Sequence, residues 1–219
     1  MHEDKNEGET DFAAPGEILF SLPTICEWMP PMTENTSRTG EVLNLHEDDW
    51  RQVELIALDY LNEIEAMLSS IYDIHQKARS PMGAFLEIHV RNKIADPLGG
   101  NRIEADSLRK RFNNLIDYDS LEYESFKGCV QGGFAWRTEG GLLVYGRQAG
   151  SFMHTICMEI LERSPELEAD RCIIEDFCAE YRLILVDWCM CEALVPGDEL
   201  FREYFLPSGR GYRSIARRP

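Results

Sequence analysis

The most regular pattern of hydrophobic positions in this sequence runs from residue 47 to residue 78. Apolar side chains recur there at steps of three and four residues, while Asp59 and Glu63 fall on the opposite side. That spacing places the apolar residues on one face of an α-helix. Ser80-Pro81 ends the pattern, because a residue before proline is disfavoured in the helical conformation. The pattern therefore predicts a long amphipathic helix over about 47–78.

Strand-like patterns lie on both sides of this predicted helix. Residues 17–28 are mostly apolar, but Pro23 cannot donate a hydrogen bond to a neighbouring strand, so we expect an edge strand or a strand broken by a bulge. Residues 84–94 alternate between two faces, which predicts a second strand. Its predicted buried face is Leu86, Ile88 and Val90, and its predicted solvent face is Phe85, Glu87, His89 and Arg91.

The second half of the chain mixes both periodicities. Residues 129–147 hold two apolar runs around Thr-Glu-Gly-Gly, which predicts a hairpin. Residues 171–180 and 182–194 are candidates for the two strands of a second hairpin, with a helix over 172–181 as the alternative. Shorter helices are predicted over 104–116, 150–163 and 198–205.

Strands and helices are mixed without a regular strand-helix rhythm, so the sequence predicts an α+β fold rather than a doubly wound sheet. We expect one domain over 17–206, in which antiparallel hairpins pack with the long helix. Residues 1–16 are too polar to offset the entropy of ordering and are expected to form a flexible acidic tail. The arginine-rich end, 207–219, is expected to be a mobile basic tail.

The charge of the chain narrows the classes of partner. The 219 residues carry a formal net charge of -17, and residues 1–79 hold 17 acidic against 5 basic side chains. Nucleic acids and anionic membranes are polyanions, so this charge argues against direct binding to either. A basic protein partner is favoured instead.

Several other classes of function lack their sequence signals. The opening MHEDKNEGETDF has neither the basic nor the apolar region of a secretory signal. The longest apolar candidate run, 183–186, is far shorter than a membrane-spanning helix. Phosphate-loop and dinucleotide-binding motifs are absent from the sequence. We therefore expect a soluble cytoplasmic protein without a cofactor or a bound metal.

The sharpest chemical alternative involves cysteine and histidine. If residues 150–163 are helical, His154 and Cys157 lie one turn apart, and Cys189 and Cys191 would share a strand face. Such groups could hold a tetrahedral zinc ion or supply a thiol nucleophile. The spacing matches no common zinc motif, however, and free cysteines are usually buried apolar residues. A small enzyme or zinc-binding protein thus remains the alternative interpretation.

The stretch LHEDDWRQVEL, residues 45–55, places three carboxylates directly before a tryptophan and an apolar pattern. Carboxylates stabilise the first turn of a helix, because its N–H groups and dipole present positive charge there. His46 would occupy the capping position. This role accounts for Glu47, Asp48 and Asp49, but not for the further carboxylates on the predicted helix.

An exposed acidic face has two explanations, a solubilising surface or a docking surface for a basic partner. Under the second explanation, aromatic anchors would hold most of the affinity, with Trp50 first and Trp136 and Tyr145 as further candidates if exposed. The predicted partner-binding residues are Glu47, Asp48, Asp49, Trp50, Asp59 and Glu63.

The segments LHEDDWRQVELI (45–56) and FLEIHVRNKI (85–94), with the long helix between them, resemble the immunity proteins of type VI secretion and polymorphic toxin systems. The resemblance covers roughly residues 40–120. It implies a non-enzymatic bacterial protein that binds a cognate secreted toxin and blocks the toxin's active site or its assembly. A homo-oligomer is a separate possibility. It carries no functional residue over to this chain.

The charge of the chain agrees with such a role. A nuclease needs a basic groove to hold phosphates, and a carboxylate-rich surface can occupy that groove. A cytoplasmic immunity protein further implies a toxin that acts in the cytoplasm, which favours a nuclease, a deaminase or a nucleotide-degrading toxin over a cell-wall hydrolase. An adaptor of the secretion apparatus is a third interpretation.

Overall fold

The structure, a computed structural model, describes residues 18–34, 40–92, 94–209 and 211. Short strands and four α-helices alternate through these residues and share one domain, which confirms the predicted α+β class. Within these ranges, no helix is both long and apolar enough to cross a membrane. The predicted tail over 1–16 and most of the predicted tail over 207–219 lie outside the described residues.

The strands, in chain order, are β1 (Thr24–Cys26), β2 (Met32–Thr33), β3 (Val42–Leu45), β4 (Val53–Ala57), β5 (His89–Arg91), β6 (Ile116–Tyr118), β7 (Ser120–Tyr123), β8 (Cys129–Val130), β9 (Gly133–Arg137), β10 (Leu142–Ala149), β11 (Phe152–Ile160), β12 (Leu183–Asp187) and β13 (Glu192–Leu194). The helices are α1 (Leu61–Lys77), α2 (Ala105–Arg109), α3 (Leu167–Tyr181) and α4 (Glu199–Phe205). Two single 3-10 turns, Glu47–Asp49 and Leu58–Tyr60, flank β4.

A seven-stranded antiparallel sheet forms the centre of the molecule, in the order β13-β12-β4-β11-β10-β9-β6. Its hairpin β9–β10 turns at residues 138–141, which confirms the hairpin predicted around Thr-Glu-Gly-Gly. The pair β12–β13 is also a hairpin, and it lies wholly within the predicted strand segment 182–194.

Both faces of the central sheet are covered, and successive side chains alternate between them as the pleat requires. Leu55 and Leu185 face an apolar core that includes side chains of α2, α3 and α4. Ile56 and Ile184, one position along, face α1 instead. Further along the same side, Tyr145 of β10 packs in a third core beneath a smaller sheet.

That smaller sheet has four strands in the order β2-β8-β7-β3, and β3 lies parallel to β7. A separate parallel pair, β1 and β5, lies beside it. Pro23 stands immediately before β1 and accepts the His89 N–H through its carbonyl oxygen at 2.9 Å. In the described residues β1 pairs with one strand only, as expected for an edge strand next to proline.

The predicted helix over 47–78 is wrong in its first half. The α-helix begins at Leu61, and residues 53–57 form the central strand β4, every residue of which is buried. A strand buried on both faces shows a continuous run of apolar residues, and such a run has no periodicity to separate it from a helix. The helical periodicity corresponds to an α-helix only over Leu61–Lys77, where one face is exposed to solvent.

Two predictions in the second half assign the wrong type of element, in opposite directions. Residues 152–160 form strand β11 rather than a helix, and 155–160 are all buried. Residues 171–180 lie within helix α3, so the helical alternative is correct and the strand prediction is wrong. The short helices predicted over 104–116 and 198–205 are confirmed as α2 and α4, although α2 is only five residues long.

The strand predicted over 84–94 is shorter than expected, and its buried face is reversed. Only His89–Arg91 is a strand. Val90 is 47% exposed, whereas Arg91 is 2% exposed. Alternation identifies two faces but not which one is buried, and a guanidinium can be the inward residue when its N–H groups find acceptors.

Candidate partner-binding surface

The opening acidic stretch forms one 3-10 turn. His46 caps it, because its Nδ1 accepts the Asp48 N–H at 3.2 Å, so the predicted capping role is confirmed on a much shorter element. Glu47 and Asp48 reach the surface with 17% and 42% of their side chains exposed. Asp49, 1% exposed, lies inside the protein, where its carbonyl oxygen accepts the Tyr145 hydroxyl at 3.2 Å.

The residues that follow the turn are polar and buried. Arg51 adopts the left-handed conformation with φ 58°, and its Nε donates to Glu54 Oε2 at 2.6 Å. The other oxygen of that carboxylate accepts the Trp188 indole N–H at 2.8 Å. Burial acts to lower the pKa of the Arg51 guanidinium, but Glu54 outweighs it and the pKa is raised.

A second buried arginine, Arg91, joins β5 to the same segment. It donates to Gln52 Oε1 at 2.9 Å and to the Arg51 carbonyl oxygen at 2.8 Å. Its guanidinium carbon lies 4.9 Å from the centre of the Trp188 ring, a cation-π distance. These contacts tie β4, β5 and the end of β12 together, so the segment 51–54 supports the fold and fixes the turn before it.

Four predicted contact residues are therefore unavailable to a partner. Trp50 is 1% exposed, Trp136 3%, Tyr145 2% and Asp49 1%. The contact roles predicted for Trp50 and Asp49 are therefore wrong, and Trp136 and Tyr145, which were candidates only if exposed, are core residues. Trp50 packs edge-on against Tyr123 in an apolar core, because a large indole contributes more by leaving water than by remaining in it.

The four remaining predicted carboxylates do not form one surface. Asp59 and Glu63 are exposed, and Asp59 forms an ion pair with Arg182 at 3.2 Å. They follow β4, whereas Glu47 and Asp48 precede it. At about 3.3 Å per residue, β4 alone separates the two groups by ~13 Å. The predicted single acidic face is thus two separate groups.

The Glu47 group gains one neighbour that is distant in sequence. The parallel pairing of β3 with β7 brings Glu124 to the same end of β3 as Glu47, through Glu124 N–H to Leu45 O at 3.0 Å. Glu41 precedes β3 at its opposite end, ~13 Å from Leu45 along the strand, and its carbonyl oxygen accepts the Asp119 N–H at 2.8 Å. Glu47 Oε1 accepts the Ser125 N–H at 2.7 Å. We call Glu41, Glu47, Asp48 and Glu124 the acidic edge.

Negative charge is concentrated strongly here. Residues 40–50 and 116–128, which build this region, contain eight carboxylates and one lysine. Partial burial and the nearby Asp49 and Glu47 raise the pKa of Asp48, against the pull of His46. For Glu47, burial would raise the pKa, but the hydrogen bonds at Ser125 prevail and lower it.

An exposed aromatic ring adjoins the acidic edge. Phe126 is 52% exposed and lies edge-on to Tyr123, with 6.5 Å between the ring centres. The sequence analysis missed this residue, although an aromatic ring within the polar turn Glu-Ser-Phe-Lys-Gly was a usable signal. Aromatic rings of this kind often anchor protein interfaces.

The alternative interpretation, an enzyme or a zinc site, required His154 and Cys157 to lie one turn apart on a helix, and the structure does not place them so. His154 and Cys157 lie on strand β11, where residues three apart point to opposite faces. Burial raises the pKa of the Cys157 thiol well above its ordinary value, and burial with Asp187 and Glu192 raises that of Cys191 to about 12. Among the described residues, no three His, Cys, Asp or Glu side chains are placed to hold a metal ion.

A surface cleft of about 310 Å³ lies beside the end of α1 and includes His75, Arg79 and Phe85 in its lining. Arg79 can only donate hydrogen bonds, so His75 Nδ1, 3.2 Å from its Nη2, must be the acceptor. The proton of the neutral ring is therefore on Nε2, which donates to the Cys189 carbonyl oxygen at 2.8 Å. Burial and the neighbouring Arg79 lower the pKa of His75, which favours the neutral ring.

The fold and the surface together define a compact α+β protein with a strongly acidic sheet edge. In comparisons with known proteins, no family model, characterised protein or solved structure matches the chain significantly.

Proposed function

We propose that this chain is a cytoplasmic immunity protein, which binds and neutralises a basic toxin through the acidic edge. The supporting observation is the placement of four carboxylates along one strand, with Glu41 at one end of β3 and Glu47, Asp48 and Glu124 at the other, where exposed Phe126 lies beside them. Carboxylates of this density attract a cationic partner over several ångströms, and an aromatic ring supplies short-range affinity.

A nuclease is the class of toxin that best fits this surface. Its active-site groove must be lined with lysine and arginine to hold phosphates. Carboxylates spaced along a strand can bind those lysine and arginine side chains in place of the phosphates. The surface would thus compete with the nucleic-acid substrate. A merely solubilising surface would make no such specific complex, which gives the two explanations different experimental outcomes.

The test is co-expression of the full chain with the product of the adjacent gene, followed by purification on one affinity tag at 50 and 200 mM salt. We expect a complex that survives size-exclusion chromatography and lacks the toxic activity of the partner alone. The complex should be tighter at the lower salt, because exposed charges are screened as ionic strength rises. Failure of the two proteins to associate at both salt concentrations would reject the proposal.

A further inference from the structure

We propose that the partner docks by adding an extended, basic segment to the open side of strand β3. This inference rests on the proposed function and specifies how the acidic edge engages its target. Strand β3 is the last strand of the four-stranded sheet, and among the described residues only β7 pairs with it. Its other side is a sheet edge.

The pairing with β7 shows which backbone groups face outward. The carbonyl oxygens of Glu41 and Leu45 both accept N–H groups from residues of the β7 segment. Alternate residues of a strand direct their N–H and C=O groups to opposite sides. Val42 and Asn44 therefore direct theirs away from β7, and the Asn44 side chain is exposed.

An edge strand with outward N–H and C=O groups is a template for another strand. Proteins usually protect such edges with lysine or proline, and residues 40–45, Gly-Glu-Val-Leu-Asn-Leu, contain neither. Carboxylates lie at the two ends of β3 instead, with Glu41 at one end and Glu47 and Asp48 at the other, while Glu124 lies on the β7 side. They leave the edge open to a basic segment.

The charge also decides between a foreign segment and a second copy of this chain. Pairing β3 with β3 of another copy would bring two acidic edges together, and like charges placed opposite each other in a sheet are destabilising. A segment with lysine or arginine at its two ends would pair with the same carboxylates favourably. The occupant is therefore a cationic strand of the partner protein.

A second open edge, the outer side of β5, provides an internal comparison. The His89 N–H is bonded to Pro23 and the Arg91 carbonyl accepts the Glu27 N–H, so Val90 directs its backbone groups outward. The segment that contains this edge, residues 87–91, has one carboxylate, Glu87, together with His89 and Arg91, and so lacks the carboxylate density of β3. A basic segment has no electrostatic reason to select it.

Three variants distinguish strand addition at β3 from docking at the edge of β5, in binding measurements with the adjacent gene's product. Asn44→Pro deletes the outward N–H of β3 and blocks its edge, while the bonds of Leu45 and Glu41 to the β7 segment stay in place. Asn44→Ala changes the same side chain but keeps the N–H. Val90→Pro makes the equivalent backbone change at the other open edge.

We expect Asn44→Pro to raise Kd by about tenfold or more, because an added strand loses its hydrogen bond and meets the proline ring. Asn44→Ala and Val90→Pro should stay within about threefold of the wild type. Amide hydrogen exchange gives a second measurement on the unaltered chain, so the test does not depend on folding of the proline variant. The amides of Val42 and Asn44 should exchange rapidly in the free protein and slowly in the complex.

Each outcome has a distinct meaning. If the wild-type chain forms no complex, the proposed function fails. If it binds, but Asn44→Pro binds equally well and the two amides gain no protection, strand addition fails while the proposed function stands. A loss of affinity confined to Val90→Pro would place docking at β5 and would also overturn this inference.

Discussion

Arg51 and Glu54 form an ion pair in the protein interior, with 2.6 Å between Nε and Oε2 and only 3% and 2% of their side chains exposed. Arg51 follows the turn that presents Glu47 and Asp48, and Glu54 belongs to the central strand β4, so the pair joins the turn to the strand. Since Trp188 also donates to the same carboxylate, two distant segments, residues 51–54 and the end of β12, depend on one buried charge. The position of the acidic edge therefore depends on this pair.

Replacing Arg51 with methionine should reduce the free energy of unfolding by about 3–5 kcal/mol, because the Glu54 carboxylate would remain buried without its cation. Urea unfolding followed by circular dichroism measures this loss. The control is Lys77→Met, which breaks the exposed ion pair with Asp73 and should cost less than about 1 kcal/mol. Equal losses in the two variants would contradict a structural role for the buried pair.

His75 should titrate below its ordinary pKa of 6.5, because burial and the neighbouring Arg79 disfavour the charged ring more than the Cys189 carbonyl favours it. A depressed pKa in the folded protein means that the unfolded chain binds protons first. The contribution to stability is therefore complete above pH 6.5 and is lost as the pH falls toward the folded-state pKa. NMR titration of the ring, assigned with a His75→Gln variant, tests this prediction. A midpoint at or above 6.5 would contradict it.

Cys172 should be the fastest-reacting thiol. It is the exposed cysteine among seven, whereas Cys157, Cys178 and Cys189 are buried and the others are partly covered. Burial raises the pKa of the Cys157 thiol, so it should stay unreactive in the folded state. Reaction with an aromatic disulfide reagent should show one fast thiol, which Cys172→Ser removes. Fast labelling of Cys157 in that variant would instead support the thiol-enzyme alternative.

Neutralising the acidic edge should slow association with the basic partner. We expect the triple variant Glu41→Gln, Asp48→Asn and Glu124→Gln to lower the association rate by about tenfold at low salt and to change dissociation much less. The difference should shrink at high salt. Surface plasmon resonance at several salt concentrations measures both rates.

The matched control carries the same change of three charges on the α1 side of β4, through Asp59→Asn, Glu63→Gln and Glu65→Gln. Its association rate should remain close to that of the wild type. If both triple variants slow association equally, the overall charge of -17 governs binding and the acidic edge has no special role.

Local signals in the sequence identified several elements correctly. The β9–β10 hairpin follows from two apolar runs around Thr-Glu-Gly-Gly, and α4 follows a Pro-Gly turn. The second half of the predicted long helix is also present, because Leu61–Lys77 keeps one face in water and so retains a helical period. In each case the information lies within about twenty residues of chain.

Strands β4 and β11 could not be identified in the same way. Their residues are covered on both faces, so apolar side chains occur without the alternation that marks a strand. The acidic edge was only partly predicted for a different reason. Glu47 and Asp48 were proposed from their local cluster, and Glu41, six residues before Glu47, was not among the predicted contacts. Glu124 joins Glu47 and Asp48 only through the parallel pairing of β3 with β7.

The sequence by itself determined the α+β class, the excess of negative charge and the one-sided helix α1, because composition and local periodicity are properties of neighbouring residues. Only the tertiary structure decided which charges face water. Arg51, Glu54 and Arg91 are charged residues with buried partners, and Trp50 lies in a core, so the fold removes them from the surface. Burial depends on contacts between residues far apart in the chain, and no local pattern records those contacts.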